Sequence, residues 1–170
     1  PEWTTIGRNG TVFWTLTNND RKTSTPPQGE VNAANPESPN TDGHIIRTRD
    51  SHDGLGTHFE WDIYLLASST RGTPGVFTDP DAAYADPFGR LFIGTDGGQP
   101  DGLQDQLVVC DTTTSAPEPK RLLVGTTSDE ITGWAYTPDF RTGFVNIQHP
   151  GDGNPEATNF SAPFDGETIP

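Results

Sequence analysis

The 170-residue chain carries 24 acidic and 10 basic side chains, a formal net charge of −14, and only 30% of its residues are hydrophobic. It contains 19 glycines and 16 prolines, which excludes helical bundles and coiled coils, and no apolar run approaches the roughly 20 residues that span a bilayer. An acidic surface also repels phosphate backbones. The composition therefore predicts a turn-rich all-β protein that binds neither nucleic acid nor membrane.

Short β-branched and aromatic segments alternate with turn residues along the chain. Strands are predicted at residues 11–17, 44–49, 57–66, 82–85, 90–95, 106–110, 120–124, 131–137 and 143–148. No stretch has the pattern of an amphipathic helix of twelve residues. Two segments, 19–41 and 151–170, are predicted to be irregular, and the first is interpreted as either a functional lid or a disordered loop.

Three segments repeat a strand–turn–strand pattern: EWTTIGRNGTVFWTLTN, DAAYADPFGRLFIGTDG and ITGWAYTPDFRTGFVNIQH. In the first two, an acid (Glu2, Asp81) stands 11 residues before a mid-strand phenylalanine. Two further strands follow each of these hairpins, which is the plan of a β-propeller blade. The expected fold is a partial β-propeller of about two and a half four-stranded antiparallel blades, with a sandwich or barrel as the alternative. The blades would span residues 2–68 and 79–126, with a half blade at 129–150 and a tail at 151–170.

The first strand of each blade lines the central channel of a propeller, so Glu2, Asp81 and Glu130 are expected to converge there. Gathered carboxylates repel one another unless a cation neutralises them, and their hard oxygens favour calcium. The alternative interpretation is that these are ordinary turn acids in an acidic protein.

Mainly structural roles are expected for the histidines, the cysteine and the tryptophans. His149 either pins a loop or ligates a metal, whereas structural or exposed positions are expected for His44, His52 and His58. Cys110 lies within a predicted strand and is expected to be a small core residue. Packing between neighbouring blades is expected for Trp3, Trp14, Trp61 and Trp134.

Short motifs in this order resemble the PhoX-type alkaline phosphatases. They are PEW at residues 1–3, TLTNN at 15–19, ANP at 34–36, GHIIR at 43–47, FEWD at 59–62, DPFGRLFIGTDG at 86–97, EITG at 130–133 and TGFVNIQHPG at 142–151. The resemblance implies the C-terminal part of a secreted or periplasmic phosphomonoesterase that carries calcium and iron in its channel. It matches Glu2 and Glu130 to metal ligands and makes further candidates of Asp81, Asp96, Asn18 and His149. The family's iron-binding cysteine would belong to a part that is absent from this sequence.

The leading hypothesis is therefore a metal-dependent phosphomonoester hydrolase whose C-terminal portion is inactive alone, and no catalytic residue is assigned. The alternatives are a calcium-dependent lactonase-type propeller enzyme and a non-catalytic propeller interaction module. Open sheet edges and an uncovered blade face would favour self-association of this portion.

Overall fold

The computed structural model describes residues 1–19, 31–52 and 54–152. They form ten strands: β1 (Thr4–Ile6), β2 (Thr11–Leu16), β3 (His44–Asp50), β4 (Phe59–Leu66), β5 (Pro80–Ala85), β6 (Arg90–Thr95), β7 (Gln106–Asp111), β8 (Lys120–Val124), β9 (Glu130–Tyr136) and β10 (Gly143–Gln148). Single 3-10 turns occur at Arg8–Gly10, Ala67–Thr70 and Pro100–Gly102. These residues include no α-helix, and the nine strands predicted from the sequence each overlap one of the observed strands.

The strands form three antiparallel sheets. The first has the order β1-β2-β3-β4, the second β5-β6-β7-β8, and the third is the hairpin β9-β10. β5, the first strand of the middle sheet, packs against both β1 and β9. The chain therefore forms two consecutive four-stranded meanders and a hairpin, whose first strands lie next to one another. This arrangement is a partial β-propeller, as the repeat predicts.

The tight turns follow from local sequence. Asn9 and Gly10 join β1 to β2 with φ of 61° and 73°, the left-handed region that asparagine and glycine tolerate best. Between β5 and β6, Oδ1 of Asp86 accepts hydrogen bonds from the backbone N–H groups of Phe88 and Arg90, both at 2.9 Å. Short polar side chains that satisfy their own turn keep these hairpins compact.

Two hydrophobic clusters hold the sheets together. The first lies between the first and second sheets and contains Phe13, Ile45, Leu91 and Ile93, all at most 2% exposed. The second lies between the second and third sheets, where Phe92, Leu107 and Ile131 are buried. The third sheet is thus fastened to the middle sheet by a few large apolar side chains.

One of the four tryptophans packs between two of the described sheets, as predicted for all of them. Trp134 is stacked on Phe92 with ring centroids 4.8 Å apart. Trp3, Trp14 and Trp61 are 50%, 37% and 43% exposed, so none of them is buried between two of the described sheets. The reason is topological, because Trp14 and Trp61 lie on the outward face of the first sheet, with Phe59.

The segment predicted as a lid or disordered loop is partly ordered. His44 is buried, its Nε2 lies 2.8 Å from the carbonyl oxygen of Ala34, and its Nδ1 lies 2.9 Å from Nδ2 of Asn40. The same Asn40 accepts a hydrogen bond from the backbone N–H of Gly43. Residues 31–41 are therefore packed onto the start of β3, and His44 has the structural role expected of it. Residues 20–30, and residues 153–170 of the predicted tail, lie outside the described residues.

Candidate metal centre

In each of the three sheets, one carboxylate lies at or just before the start of the first strand. Glu2 precedes β1, Asp81 is the second residue of β5, and Glu130 is the first residue of β9. Because β1, β5 and β9 are neighbours, these acids lie at one end of the assembly. We call the group formed by Glu2, Asp81, Glu130 and Asp96 the acidic end.

The electrostatics of Asp81 show how close the acids lie. Burial raises the pKa of Asp81, and so do the charge of Glu130, a hydrogen bond shared with Glu130, and the charges of Glu2 and Asp96, to about 6 in total. A carboxyl group whose ionisation is opposed by three neighbours is stabilised when a cation enters the cluster. Glu2, Asp96 and Glu130 thus lie near enough to Asp81 to oppose its ionisation.

Glu130 is held by two consecutive residues. It is 9% exposed, and its Oε2 accepts a hydrogen bond from Nε2 of Gln148 at 2.8 Å. The same oxygen lies 3.3 Å from Nε2 of His149. Desolvation lowers the pKa of His149, but hydrogen bonds to the Ser128 backbone and to Glu130, together with the charge of Glu130, outweigh it, so the pKa is raised. His149 therefore contacts a predicted ligand, as a positioning group would.

Thr15 ties the first sheet to Asp81. Its side chain is fully buried and its Oγ1 donates to the carbonyl oxygen of Asp81 at 2.5 Å. The same Oγ1 accepts from the backbone N–H of Trp3 at 2.9 Å, beside Glu2. One hydroxyl thus fixes the positions of the backbone segments that carry Glu2 and Asp81. The sequence analysis missed this role because nothing in the sequence distinguishes Thr15 from Thr11, the other threonine of β2.

Asp79 contacts both Asn18 and Asp96. Nδ2 of Asn18 donates to Oδ1 of Asp79 at 2.8 Å. The backbone N–H of Asp96 donates to the carbonyl oxygen of Asp79 at 3.1 Å. Burial and the charges of Asp42 and Asp96 raise the pKa of Asp79 despite its hydrogen bond from Asn18. The sequence analysis did not single out Asp79, although it directly precedes β5.

Asp105 and Asp129 form a further pair of acids near Asp96. Asp105 is 7% exposed and accepts a hydrogen bond from Oγ1 of Thr95 at 2.5 Å. Burial raises its pKa to about 7, and the charges of Asp129 and Asp96 contribute. Asp129 accepts from the backbone N–H of Thr126 at 2.7 Å. Only tertiary packing reveals these residues, because in sequence they are ordinary loop acids.

The donor set suits a hard cation better than a soft one. Carboxylate and amide oxygens are the ligands that calcium prefers. Within residues 1–19, 31–52 and 54–152, however, no three histidine, cysteine or acidic side chains converge closely enough to hold a metal ion. The described acids thus fit calcium in chemistry but do not form a metal site by themselves.

The only cysteine in the sequence does not suit iron. Cys110 lies in β7 and is 1% exposed within the first hydrophobic cluster. Desolvation raises the pKa of its thiol to about 12, so the thiol stays protonated in its apolar surroundings. Cys110 is a core residue, as expected, and its buried thiol does not fit the role of an iron ligand.

Comparison with known proteins identifies the family. The family model described as "Alkaline phosphatase PhoX" matches residues 1–151. The chain belongs to the PhoX family. A solved structure, "Pseudomonas fluorescens PhoX in complex with vanadate, a transition state analogue", is 34% identical and superposes with a TM-score of 0.78. That match covers 90% of this chain and 29% of the Pseudomonas fluorescens chain, and no curated protein matches.

Membership of the PhoX family decides between the two enzyme hypotheses. The phosphatase resemblance is confirmed, and the lactonase-type propeller is set aside. The chain spans less than a third of the PhoX structure that it matches. No helix in the described part of the chain has the length and apolar character needed to cross a membrane.

Proposed function

We propose that this chain forms part of the active site of a metal-dependent phosphomonoester hydrolase, an alkaline phosphatase. The observation that carries the proposal is the acidic end, where Glu2, Glu130 and Asp96 all act on Asp81 in a member of the PhoX family. The vanadate complex of the Pseudomonas fluorescens relative supports a phosphoryl substrate. Since this chain corresponds to 29% of that relative, other residues of the full-length enzyme would complete the site.

A substrate phosphate needs a cation at this place. The chain carries a net charge of −14, and a phosphomonoester would meet the carboxylates of the acidic end directly. Calcium held by Glu2, Asp81 and Glu130 reverses the local field. When bound, such a cation neutralises charge on the phosphoryl oxygens and polarises them. Further oxygen ligands would come from Asp96 and the amide of Asn18.

The chain's own residues would orient these ligands. Gln148 and His149 hold Oε2 of Glu130 and so fix the position of its carboxylate beside Asp81. Thr15 holds the Asp81 backbone, and Asp79 orients Asn18. We assign no described residue to the bond-breaking step. Iron, which the resemblance also implies, would rely on residues outside this chain, since Cys110 is a buried core thiol.

The proposal is tested on the full-length enzyme that contains this chain, with phenyl phosphate as substrate. Treatment with a calcium chelator should abolish turnover, and added calcium should restore it. Glu2→Ala should reduce both the bound calcium and the turnover at least tenfold, because a first ligand is lost. Glu60→Gln is the matched control, an exposed acid of β4. Full turnover and full calcium content in Glu2→Ala would contradict the proposal.

We also propose that the three sheets are successive blades, at residues 2–68, 79–126 and 129–150, of a larger propeller in a secreted or periplasmic enzyme. The antiparallel order within each sheet and the packing of β5 on β1 and β9 support the blades. Cell fractionation of the native host tests the location, and phosphatase retained in the cytoplasm would contradict it.

The outward face of the first sheet supports self-association of the isolated chain. Its apolar side chains are exposed: Ile6 71%, Phe59 63%, Trp61 43% and Trp14 37%. A patch of this kind marks an interaction surface. We propose that two isolated chains pair through this face. Light scattering should give the mass of a dimer, and Trp61→Glu should give a monomer; a wild-type monomer at high concentration would contradict the pairing.

A further inference from the structure

A cavity of about 330 Å³ opens where the innermost strands of the three sheets meet. Its lining comes from β1 and the residue before it, from β5, β6 and β7, and from β9 and β10. Its largest lining side chains are aromatic, among them Trp3, Tyr84, Trp134 and Phe144, and the others are mostly small. Trp3 and Phe144 are 50% and 57% exposed, so the cavity is accessible from solvent.

Glycines keep this cavity open. A Cβ on Gly143 would lie 2.4 Å from Cη2 of Trp134, so only glycine allows the indole to lie flat against β10. On the opposite side the indole stacks on Phe92 at 4.8 Å. Gly133 and Ala82 also line the cavity and add almost no volume to it. The Trp134 ring is therefore fixed in place, and a slot is left beside it.

Polar side chains interrupt the apolar lining of the cavity. Thr132 and Asn146 supply them. The indole N–H of Trp134 lacks a hydrogen-bond acceptor among the described residues, but it is buried away from the open space of the cavity. An occupant with a flat apolar body would match the aromatic part of this lining.

The cavity begins where the acidic end stops. Glu2 directly precedes Trp3, Asp81 directly precedes Ala82, and Glu130 lies two residues before Thr132. Strands rise about 3.3 Å per residue, so the lining begins roughly 3–7 Å from the carboxylates along the chain. An organic group attached to a phosphate at the acidic end would therefore lie next to this lining.

From this geometry we infer that the cavity is the subsite for the organic group of the substrate, and that it favours an aromatic alcohol. The inference rests on the proposed phosphatase function. The phosphate would lie at the acidic end, while the ring would enter the cavity beside Trp3 and Phe144. Aromatic contacts of this kind favour binding beyond the effect of the area that they bury.

The test compares two substrates of the full-length, metal-loaded enzyme, phenyl phosphate and methyl phosphate. Phe144→Ala removes a half-exposed wall, and Phe59→Ala is the matched control, an exposed phenylalanine of β4 that does not line the cavity. We expect Phe144→Ala to lower the ratio of kcat/KM for phenyl over methyl phosphate about three- to tenfold, mainly through KM. Phe59→Ala should leave that ratio within twofold of wild type. An unchanged ratio in Phe144→Ala would overturn the inference.

A binding measurement separates this inference from the proposed function. Phenol, the product alcohol, is titrated into the same enzyme without metal and followed by ligand-observed NMR. Saturable binding that weakens in Phe144→Ala and in Trp134→Phe, but not in Phe59→Ala, would support the aromatic cavity even if neither phosphate were turned over. Turnover of both phosphates with no saturable binding of phenol would overturn the subsite and leave the phosphatase proposal intact.

Discussion

Oε2 of Glu130 lies 3.3 Å from Nε2 of His149, the residue directly after β10. Gln148, the last residue of β10, donates to the same oxygen at 2.8 Å. Two consecutive side chains of the FVNIQHPG motif therefore meet the first residue of β9 across the hairpin. This explains how a motif at the end of one strand serves a carboxylate at the start of another.

His149→Ala should weaken calcium binding by the full-length enzyme about tenfold, because partners that orient a ligand typically contribute 10- to 100-fold in affinity. Isothermal titration calorimetry measures the effect directly. His58→Ala is the control, an exposed histidine beside β4. If calcium affinity is the same in both variants, His149 has no part in holding Glu130 for a cation.

Arg90→Ala should lower the free energy of unfolding by about 1–2 kcal/mol. Arg90 Nε donates to Oδ2 of the buried Asp86 at 2.6 Å, its Nη2 donates to the Tyr136 hydroxyl at 3.2 Å, and its guanidinium lies over the Phe88 ring. It thereby joins the second and third sheets. Urea unfolding of the full-length enzyme measures the loss, with the exposed Arg141→Ala as control. Equal unfolding midpoints for the two variants would contradict this role.

Gly94→Ala should be more damaging than an alanine elsewhere on the second sheet. An added Cβ would lie 2.0 Å from the backbone oxygen of Ile131, so β6 and β9 would have to separate. We expect a loss of about 3 kcal/mol in the free energy of unfolding. Gly98→Ala, where no atom lies within 4 Å of the added Cβ, should change it by less than about 0.5 kcal/mol. A small effect at Gly94 would show that the sheets are not in close contact there.

Acidification should destabilise the segment that His44 anchors. Burial lowers the pKa of His44, outweighing the opposite effects of the Ala34 carbonyl and of Glu37, while the N-terminal ammonium also lowers it. Because the folded pKa lies below the unfolded value of 6.5, the stability is present above pH 6.5 and is lost as the pH falls below it. The slope is at most about 1.4 kcal/mol per pH unit for one group.

Amide hydrogen exchange of residues 31–41, compared at pH 7.5 and pH 5 after correction for intrinsic rates, measures this opening. In His44→Gln the difference between the two pH values should disappear, whereas His58→Gln should keep it. Identical protection at both pH values in wild type would contradict the prediction.

The isolated 170-residue chain should bind calcium weakly and should not hydrolyse phenyl phosphate above background. Its carboxylates provide one arc of ligands, and no three of the described side chains converge on a cation. Sites with few fixed ligands bind calcium with a Kd of about 10⁻⁴–10⁻³ M. Calorimetry and a phosphate-release assay test both statements. Calcium-dependent turnover by the purified chain would show that it contains a whole active site.

Much of the fold could be predicted from the sequence. Alternation of β-branched and aromatic residues with Asn-Gly and Pro-Asp turns places nine strands, because both signals are local. The repeat also predicts that Glu2, Asp81 and Glu130 begin equivalent strands. Family motifs identify the PhoX resemblance, including the FVNIQHPG segment that holds Glu130.

The tertiary structure alone determines how these pieces interact. Thr15, Asp79 and Asp105 have ordinary sequence contexts, and their importance arises from partners up to 66 residues away. The exposure of Trp14 and Trp61 and the burial of Trp134 depend on which sheet faces have a neighbour, which no local pattern encodes. Local sequence thus determines the strands and turns through backbone preferences. Burial, pKa and the shape of the aromatic cavity depend on long-range packing, because desolvation and charge coupling act between atoms that only the folded chain brings together.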